Sequence, residues 1–207
     1  MSFDFEAKGK EVVYKEHSTQ LNLYDCCSEK DFNFYFLQQR IPEDAVYREF
    51  PQVEGLIFLK SIMTDDPKEK YGLESVAHIS VLYGISDEND YFKLREKLKD
   101  FGKFEFKIGD ISSFRKEDKP YDVLILKIIS PKLEELHKII KDSCDNSYSF
   151  PEYIPHMTLA YVNKGMCEDL EGNSVWTGDT YSCDKIKFSH KDGYFLDIPL
   201  IEITRYE

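Results

Sequence analysis

From residue 54 onward, apolar runs and helical stripes alternate along the chain. Residues 55–62 read as a buried strand. Asp66, Pro67 and Gly72 then mark a short helix with a carboxylate cap, a proline in its first turn and a glycine at its end. Residues 76–83 form a second apolar strand. Ser86 and Asp87 open a helix whose Tyr91, Leu94, Leu98 and Phe101 make one stripe. Phe104, Phe106 and Ile108 alternate with Lys103, Glu105 and Lys107, the period of a half-buried strand. Residues 122–129 are almost continuously apolar, so both faces of that strand are expected to be covered.

The same grammar then repeats. Ser130 and Pro131 cap a helix with Leu133, Leu136, Ile139 and Ile140 on one side, and residues 154–162 make another strand. Residues 163–181 read as a loop. Asp192-Gly193, between residues 184–190 and 194–198, signals a closing hairpin. Hairpin and alternating strand both argue for antiparallel pairing, and the class expected is α+β. Residues 1–53 read differently, with a helix start at Ser28 and Phe32, Tyr35 and Phe36 at helical spacing. The division expected is an amino-terminal extension over 1–53 packed on a domain over 54–207.

Composition narrows the partners. The chain has 207 residues and a formal net charge of −12, of which residues 1–50 carry −4, residues 51–130 carry −2 and residues 131–207 carry −6. A cationic stripe for holding a long nucleic acid is missing, and the field opposes an anionic membrane surface. With 42% hydrophobic and 14% aromatic residues the chain is expected to fold. The start lacks an apolar stretch of signal-peptide length, and nothing approaches membrane-spanning length, so a soluble cytoplasmic protein is expected. Five cysteines without a C-x-x-C pair fit reduced thiols rather than a disulfide framework or zinc cage.

Two predicted strands share one local pattern: His78-Ile79-Ser80-Val81-Leu82-Tyr83 and His156-Met157-Thr158-Leu159-Ala160-Tyr161. Residues i and i+2 of a strand project from one face, so each histidine points with the hydroxyl that follows it. Counting by twos puts Tyr83 and Tyr161 on the opposite face, in core packing. Breaking a phosphodiester needs a base for the attacking hydroxyl and an acid for the leaving oxygen, and imidazole serves either role near neutral pH. The Ser80 and Thr158 hydroxyls can donate to the non-bridging oxygens as charge builds there. Which histidine is base stays open.

This doublet resembles the two-motif signature of the two-histidine (2H) phosphoesterase superfamily, over roughly residues 54–200, with Ser80 in place of the commoner threonine. The resemblance implies a two-lobed α+β fold, antiparallel sheets facing a central cleft with flanking helices. It implies a metal-independent, cofactor-free enzyme for nucleotide phosphodiesters or 2′,3′-cyclic phosphates. HISVLYG, from His78, and the run from Pro42 to Tyr47 look most like viral and phage members of the anti-CBASS nuclease type, which destroy cyclic oligonucleotide messengers of host immunity. For such a protein the expected place is the host cytoplasm.

Other residues carry weaker chemistry. Trp176, Tyr153, Phe150 and Tyr181 surround the second motif as candidate base-stacking platforms. Lys185 and Lys187 alternate on a late strand and are candidates for a substrate phosphate. His137 belongs to an apolar helix stripe and is expected to be a satisfied, partly buried side chain, while His17 and His190 are expected at the surface. Cys26 and Cys27 read as buried thiols. The function expected is hydrolysis of a small cyclic di- or oligonucleotide. The alternatives are linear 2′–5′ oligoadenylate, RNA ending in a 2′,3′-cyclic phosphate, and a sponge that binds a nucleotide without turnover.

Overall fold

The computed structural model describes residues 6–8, 11–13, 16–22, 26, 77–119, 121–174, 176–190 and 194–200. The expected strand at 55–62, the short helix at 66–72, the helix start at Ser28, Cys27 and the Asp192-Gly193 turn lie outside them. In chain order the strands are β1 (Glu6–Lys8), β2 (Glu11–Val13), β3 (His17–Asn22), β4 (His78–Ile85), β5 (Phe104–Phe114), β6 (Tyr121–Ile129), β7 (His156–Asn163), β8 (Thr180–Cys183), β9 (Lys185–Ser189) and β10 (Phe195–Pro199). A first helix spans Asp90–Leu98 and a second Pro131–Ser143. β1 and β2 pair with each other, and the remaining eight strands form one antiparallel sheet ordered β10-β9-β3-β4-β7-β6-β5-β8. The fold is α+β, a curled half-barrel of sheet with two helices among the described residues.

The sheet consists of two four-stranded halves. They join at β4 and β7, which pair through Ile79 opposite Met157. Both residues are fully buried in the core. Reading outward from that pair, β3 flanks β4 as β6 flanks β7, so the halves repeat about a quasi-two-fold axis through the junction.

The helices cover one face of the sheet. Leu94 and Leu98 of the first, with Leu133, Leu136 and Ile140 of the second, share a core with Ile79, Leu82, Phe106, Leu126, Met157 and Phe188. Each such side chain contributes about 1.5–3 kcal/mol on leaving water. Pro131 starts the second helix as expected, but Ser130 does not cap it by side chain. Its Oγ instead donates to the Glu105 carbonyl at 3.0 Å, tying the helix start to β5.

Four readings change in the structure. Within the segment expected to pack on the core as an extension, His17–Asn22 is a strand inside the sheet, between β4 and β9. Its sequence HSTQLN has little apolar pattern, because one of its faces carries polar side chains. That placement buries His17 and His190, both expected at the surface. Their rings meet at 4.4 Å, and His190 Nε2 contacts Glu88 Oε2 at 3.1 Å. Cys26, expected to be buried, is half-buried, its Sγ 3.6 Å from the Asn22 carbonyl. The expected loop at 163–181 contains a 3-10 turn, Glu168–Leu170, and the start of edge strand β8.

Because the junction passes through one buried pair, Met157→Ala leaves a cavity where the halves meet. The cost expected is about 2–5 kcal/mol, a fall in melting temperature of about 5–15 °C. Thermal denaturation followed by circular dichroism measures it; an unchanged melting temperature contradicts this role for the pair.

Candidate active site

Ile79 and Met157 point into the core, so the residues on either side of them point to the opposite face. The antiparallel register sets His78 across from Thr158, and Ser80 across from His156. Directly opposite side chains on one face lie about 4.5–5.5 Å apart at Cβ. The two motifs, 78 residues apart in sequence, therefore form one patch of two imidazoles and two hydroxyls. All four residues are partly exposed.

Both motif strands carry a β-bulge at the same place. Thr19 pairs with Leu82 and Gln20 with Ser80, which leaves Val81 extra; Leu124 pairs with Ala160 and Ile125 with Thr158, which leaves Leu159 extra. Each bulge falls three residues after its histidine. A bulged residue shifts the alternation by one, which explains the two consecutive apolar positions in each motif. It also returns Tyr83 and Tyr161 to the histidine face, against the expectation from counting by twos; Tyr161 is nevertheless buried there, as expected, and Tyr83 is not. Tyr83 is half-buried against Tyr148, ring centroids 5.3 Å apart, and Tyr161 packs edge-on against Tyr121 at 5.5 Å.

The bulge in β4 is held from outside the sheet. His137 Nδ1–H donates to the Val81 carbonyl at 2.7 Å, and the Tyr153 hydroxyl to the Ser80 carbonyl at 3.0 Å. The two rings stack at 4.2 Å and are parallel within 1°. Burial lowers the His137 pKa, so the ring stays neutral and bonds as a fixed support. Tyr153 is thereby a positioning residue of the first motif, with its hydroxyl committed to backbone.

His156 is oriented by its own strand. Its Nδ1–H donates to the Ile154 carbonyl at 2.6 Å, leaving the Nε2 lone pair available to a reacting group. The Phe114 ring stands perpendicular to the imidazole at 4.8 Å. Burial lowers the His156 pKa below its ordinary value near 6.5. The nearby His78 lowers it further, and the Ile154 hydrogen bond opposes both. Phe114, and Lys127 directly across from His156 on β6, carry no sequence signal of their own. Only strand register brings them to the site.

The remaining candidates divide. Phe150 is 39% exposed, beside Tyr83 and Tyr148, with Lys116 Nζ 5.2 Å from its ring centroid. Tyr181 packs on Phe106 on the core side, and its hydroxyl donates to Asp179. Trp176 is buried in the core, away from a stacking role. Lys187 shares the histidine face, in register with Gln20, which is in register with Ser80. Lys187 and Lys185 both pair with Asp197, at 2.9 and 3.3 Å. No three His, Cys, Asp or Glu side chains converge on a metal position among the described residues. None of the helices there is long and apolar enough to cross a membrane.

A half-barrel with two His-x-hydroxyl strands side by side on its open face defines a two-histidine phosphoesterase. The family model of the 2′-5′ RNA ligase superfamily matches residues 48–174, more than half of the chain. The chain belongs to that superfamily. No curated protein matches it in sequence. Among solved structures it is similar to TT0787 of Thermus thermophilus, with a TM-score of 0.56 and 13% identity over 89% of this chain and 97% of that one. It is also similar to Kluyveromyces marxianus Usb1, with a TM-score of 0.54 and 9% identity over 90% of this chain and 98% of that one. Another structure of that Usb1, solved with uridine monophosphate, gives a TM-score of 0.53 at 10% identity, over 90% of this chain and 99% of that one. At these identities the likeness is one of fold.

His156 is expected to titrate below 6.5 and to be neutral at pH 7. Replacing His78 by Ala removes the electrostatic contribution of that imidazole and raises the His156 pKa. NMR titration of the ring C–H signals checks both; a His156 pKa above 6.5 in the intact protein contradicts this electrostatic account.

Proposed function

We propose that the protein hydrolyses a phosphodiester bond in a small nucleotide, a cyclic di- or oligonucleotide messenger, with His78 and His156 as the acid–base pair. The observation that carries this reading is the register through Ile79 and Met157, which supports both imidazoles acting on one phosphate. In the reaction, the 2′-hydroxyl of the substrate attacks the adjacent phosphorus as one histidine takes its proton. The P–O5′ bond breaks and the other histidine protonates the departing oxygen. A 2′,3′-cyclic phosphate results, which water opens with the roles of the histidines exchanged. Ser80 and Thr158 donate to the non-bridging oxygens, where negative charge grows.

Size and charge favour a small substrate. With a net charge of −12 the protein repels a polyanion. Phe150, exposed beside Tyr83, offers a ring for a base, and Lys187 lies two strands from Ser80. The likeness of HISVLYG to phage anti-CBASS nucleases supports a cyclic messenger, and evasion of nucleotide-signalling immunity as the biological role.

The test is cleavage of a panel of cyclic dinucleotides, cyclic oligonucleotides, 2′–5′ oligoadenylate and RNA with 2′,3′-cyclic ends, in excess EDTA, with products identified by mass spectrometry. Cyclic substrates are expected to be opened, with kcat falling about 10²–10⁴-fold in His78→Ala or His156→Ala at unchanged melting temperature. Exclusive cleavage of the linear or RNA substrates replaces the substrate assignment. Stoichiometric binding with every ligand recovered intact replaces catalysis by sequestration.

A further inference from the structure

The segment that leaves β5 passes from one motif to the other. Phe114, the last residue of β5, stands against the His156 ring at 4.8 Å. Two residues on, Lys116 Nζ lies 5.2 Å from the centroid of the Phe150 ring. Phe150 in turn meets Tyr83, on the strand of the first motif, at 6.2 Å. The turn after β5 therefore begins at the second motif and sets a cation beside the strand of the first. The groups that border the first motif from β3, Gln20 opposite Ser80 and Asn22 opposite His78, carry no charge.

That turn is held by the strand that carries His156. Lys164, the residue after β7, donates from Nζ to the carbonyls of Glu117, Lys116 and Lys119 at 2.7, 3.1 and 3.2 Å, one bond for each proton of its ammonium. The Gly165 N–H donates to Asp122 Oδ2 at 2.8 Å and ties the next residue to the start of β6. Arg115 is engaged by Glu168 and Glu171. Lys116 is not committed in this way. Among the described residues its ammonium forms no ion pair, neither with Glu117 nor with Asp118 that follow it, and it rests on the Phe150 ring. Lys185 and Lys187, by contrast, share Asp197. An exposed cation–π contact is weak beside a charge-assisted hydrogen bond, so an arriving anion takes the ammonium readily.

We infer that Lys116 is a second-phosphate subsite, binding the phosphate of the nucleotide next to the one that the histidines attack. This rests on the nucleotide reading of the site. A nucleotide whose base lies on Phe150 carries its own phosphates at the rim of that ring, where the ammonium stands. The reacting phosphate belongs between His78 and His156. Lys116 reaches the site through Phe114 and Phe150, not by register with either histidine, so it serves the neighbouring phosphate. Three carbonyl bonds from Lys164 set its backbone before a ligand arrives, which leaves little ordering to be lost on binding. A cyclic messenger has a phosphate between every pair of nucleosides and always supplies this second group, whereas a linear dinucleotide without terminal phosphates does not.

The test is equilibrium binding to the full chain, by calorimetry, of the deoxyadenosine dinucleotide with its internal phosphate alone and of the same molecule with an added 5′ or 3′ phosphate. Deoxyribose lacks the attacking 2′-hydroxyl, so the proposed reaction cleaves none of them. One of the two phosphorylated forms is expected to bind about tenfold tighter than the unphosphorylated one, the strength of one charge-assisted hydrogen bond. Lys116→Gln is expected to cut that gain below about threefold and Lys116→Arg to keep it, with binding of the unphosphorylated form unchanged. Lys97→Gln removes the same charge from the exposed side of the first helix and is expected to leave the gain intact. No gain in the wild type overturns the subsite, as does a gain that survives Lys116→Gln or a loss shared by Lys97→Gln. Failure to bind any of the dinucleotides overturns it too. A protein that shows the gain and hydrolyses no diester keeps the subsite and loses the phosphodiesterase reading. One that cleaves diesters without showing the gain loses the subsite alone.

Discussion

The pairing of Ile79 with Met157 is the contact on which the rest of the molecule depends. It is the point where two four-stranded halves become one sheet, and it fixes the register of the two motif strands. The side chains of the pair fill the core between sheet and helices. Their neighbours, one residue to either side, face the other way and make the site. Packing on one face thereby sets geometry on the other, because strand side chains alternate and the core admits one register.

Around that pair the structure spends its hydrogen bonds on holding the motifs still. The bulge at Val81 bends β4 and frees a carbonyl that His137 takes. Tyr153 takes the preceding one, and the stacked rings support each other. His156 is tied by Nδ1 to Ile154 and flanked by Phe114, so its ring presents Nε2. Groups that must transfer protons work best when they are oriented before substrate arrives, and these contacts supply that orientation from backbone and buried aromatics. The two motifs are equivalent in pattern but not in surroundings. The first lies beside the amides of β3, and the second beside Phe114 and Lys127. In the proposed reaction, that difference suits a substrate whose two ends differ.

Much of this is legible in the sequence. The α+β class, the two helices of the described residues, the motif strands and the closing hairpin follow from periodicity and from proline and glycine signals, because each segment shows its apolar face plainly. The expected caps do not hold, since Ser130 makes no cap bond and the first helix begins at Asp90. The motif pair is legible through its repetition. Two kinds of information are not. His17–Asn22 has a polar outer face and no strong alternation, so nothing local marks it as an inner strand; burial of His17 and His190 follows from its place between β4 and β9. Bulges are also invisible, since counting by twos assumes an unbroken pleat, and that is why it puts Tyr83 and Tyr161 on the wrong face. Phe114, Lys127, Gln20 and Asn22 reach the site through register alone. Trp176, conspicuous as a lone tryptophan, is a core residue.

The central claim is that His78 and His156 act as one unit on one phosphate. It is tested most directly by kcat of His78→Ala, His156→Ala and the double variant on the same cleaved substrate. Groups that act together are strongly non-additive, so the double variant is predicted to be no more than about tenfold slower than the slower single. Losses that multiply, with the double variant slower by the product of the two single effects, would contradict a shared site.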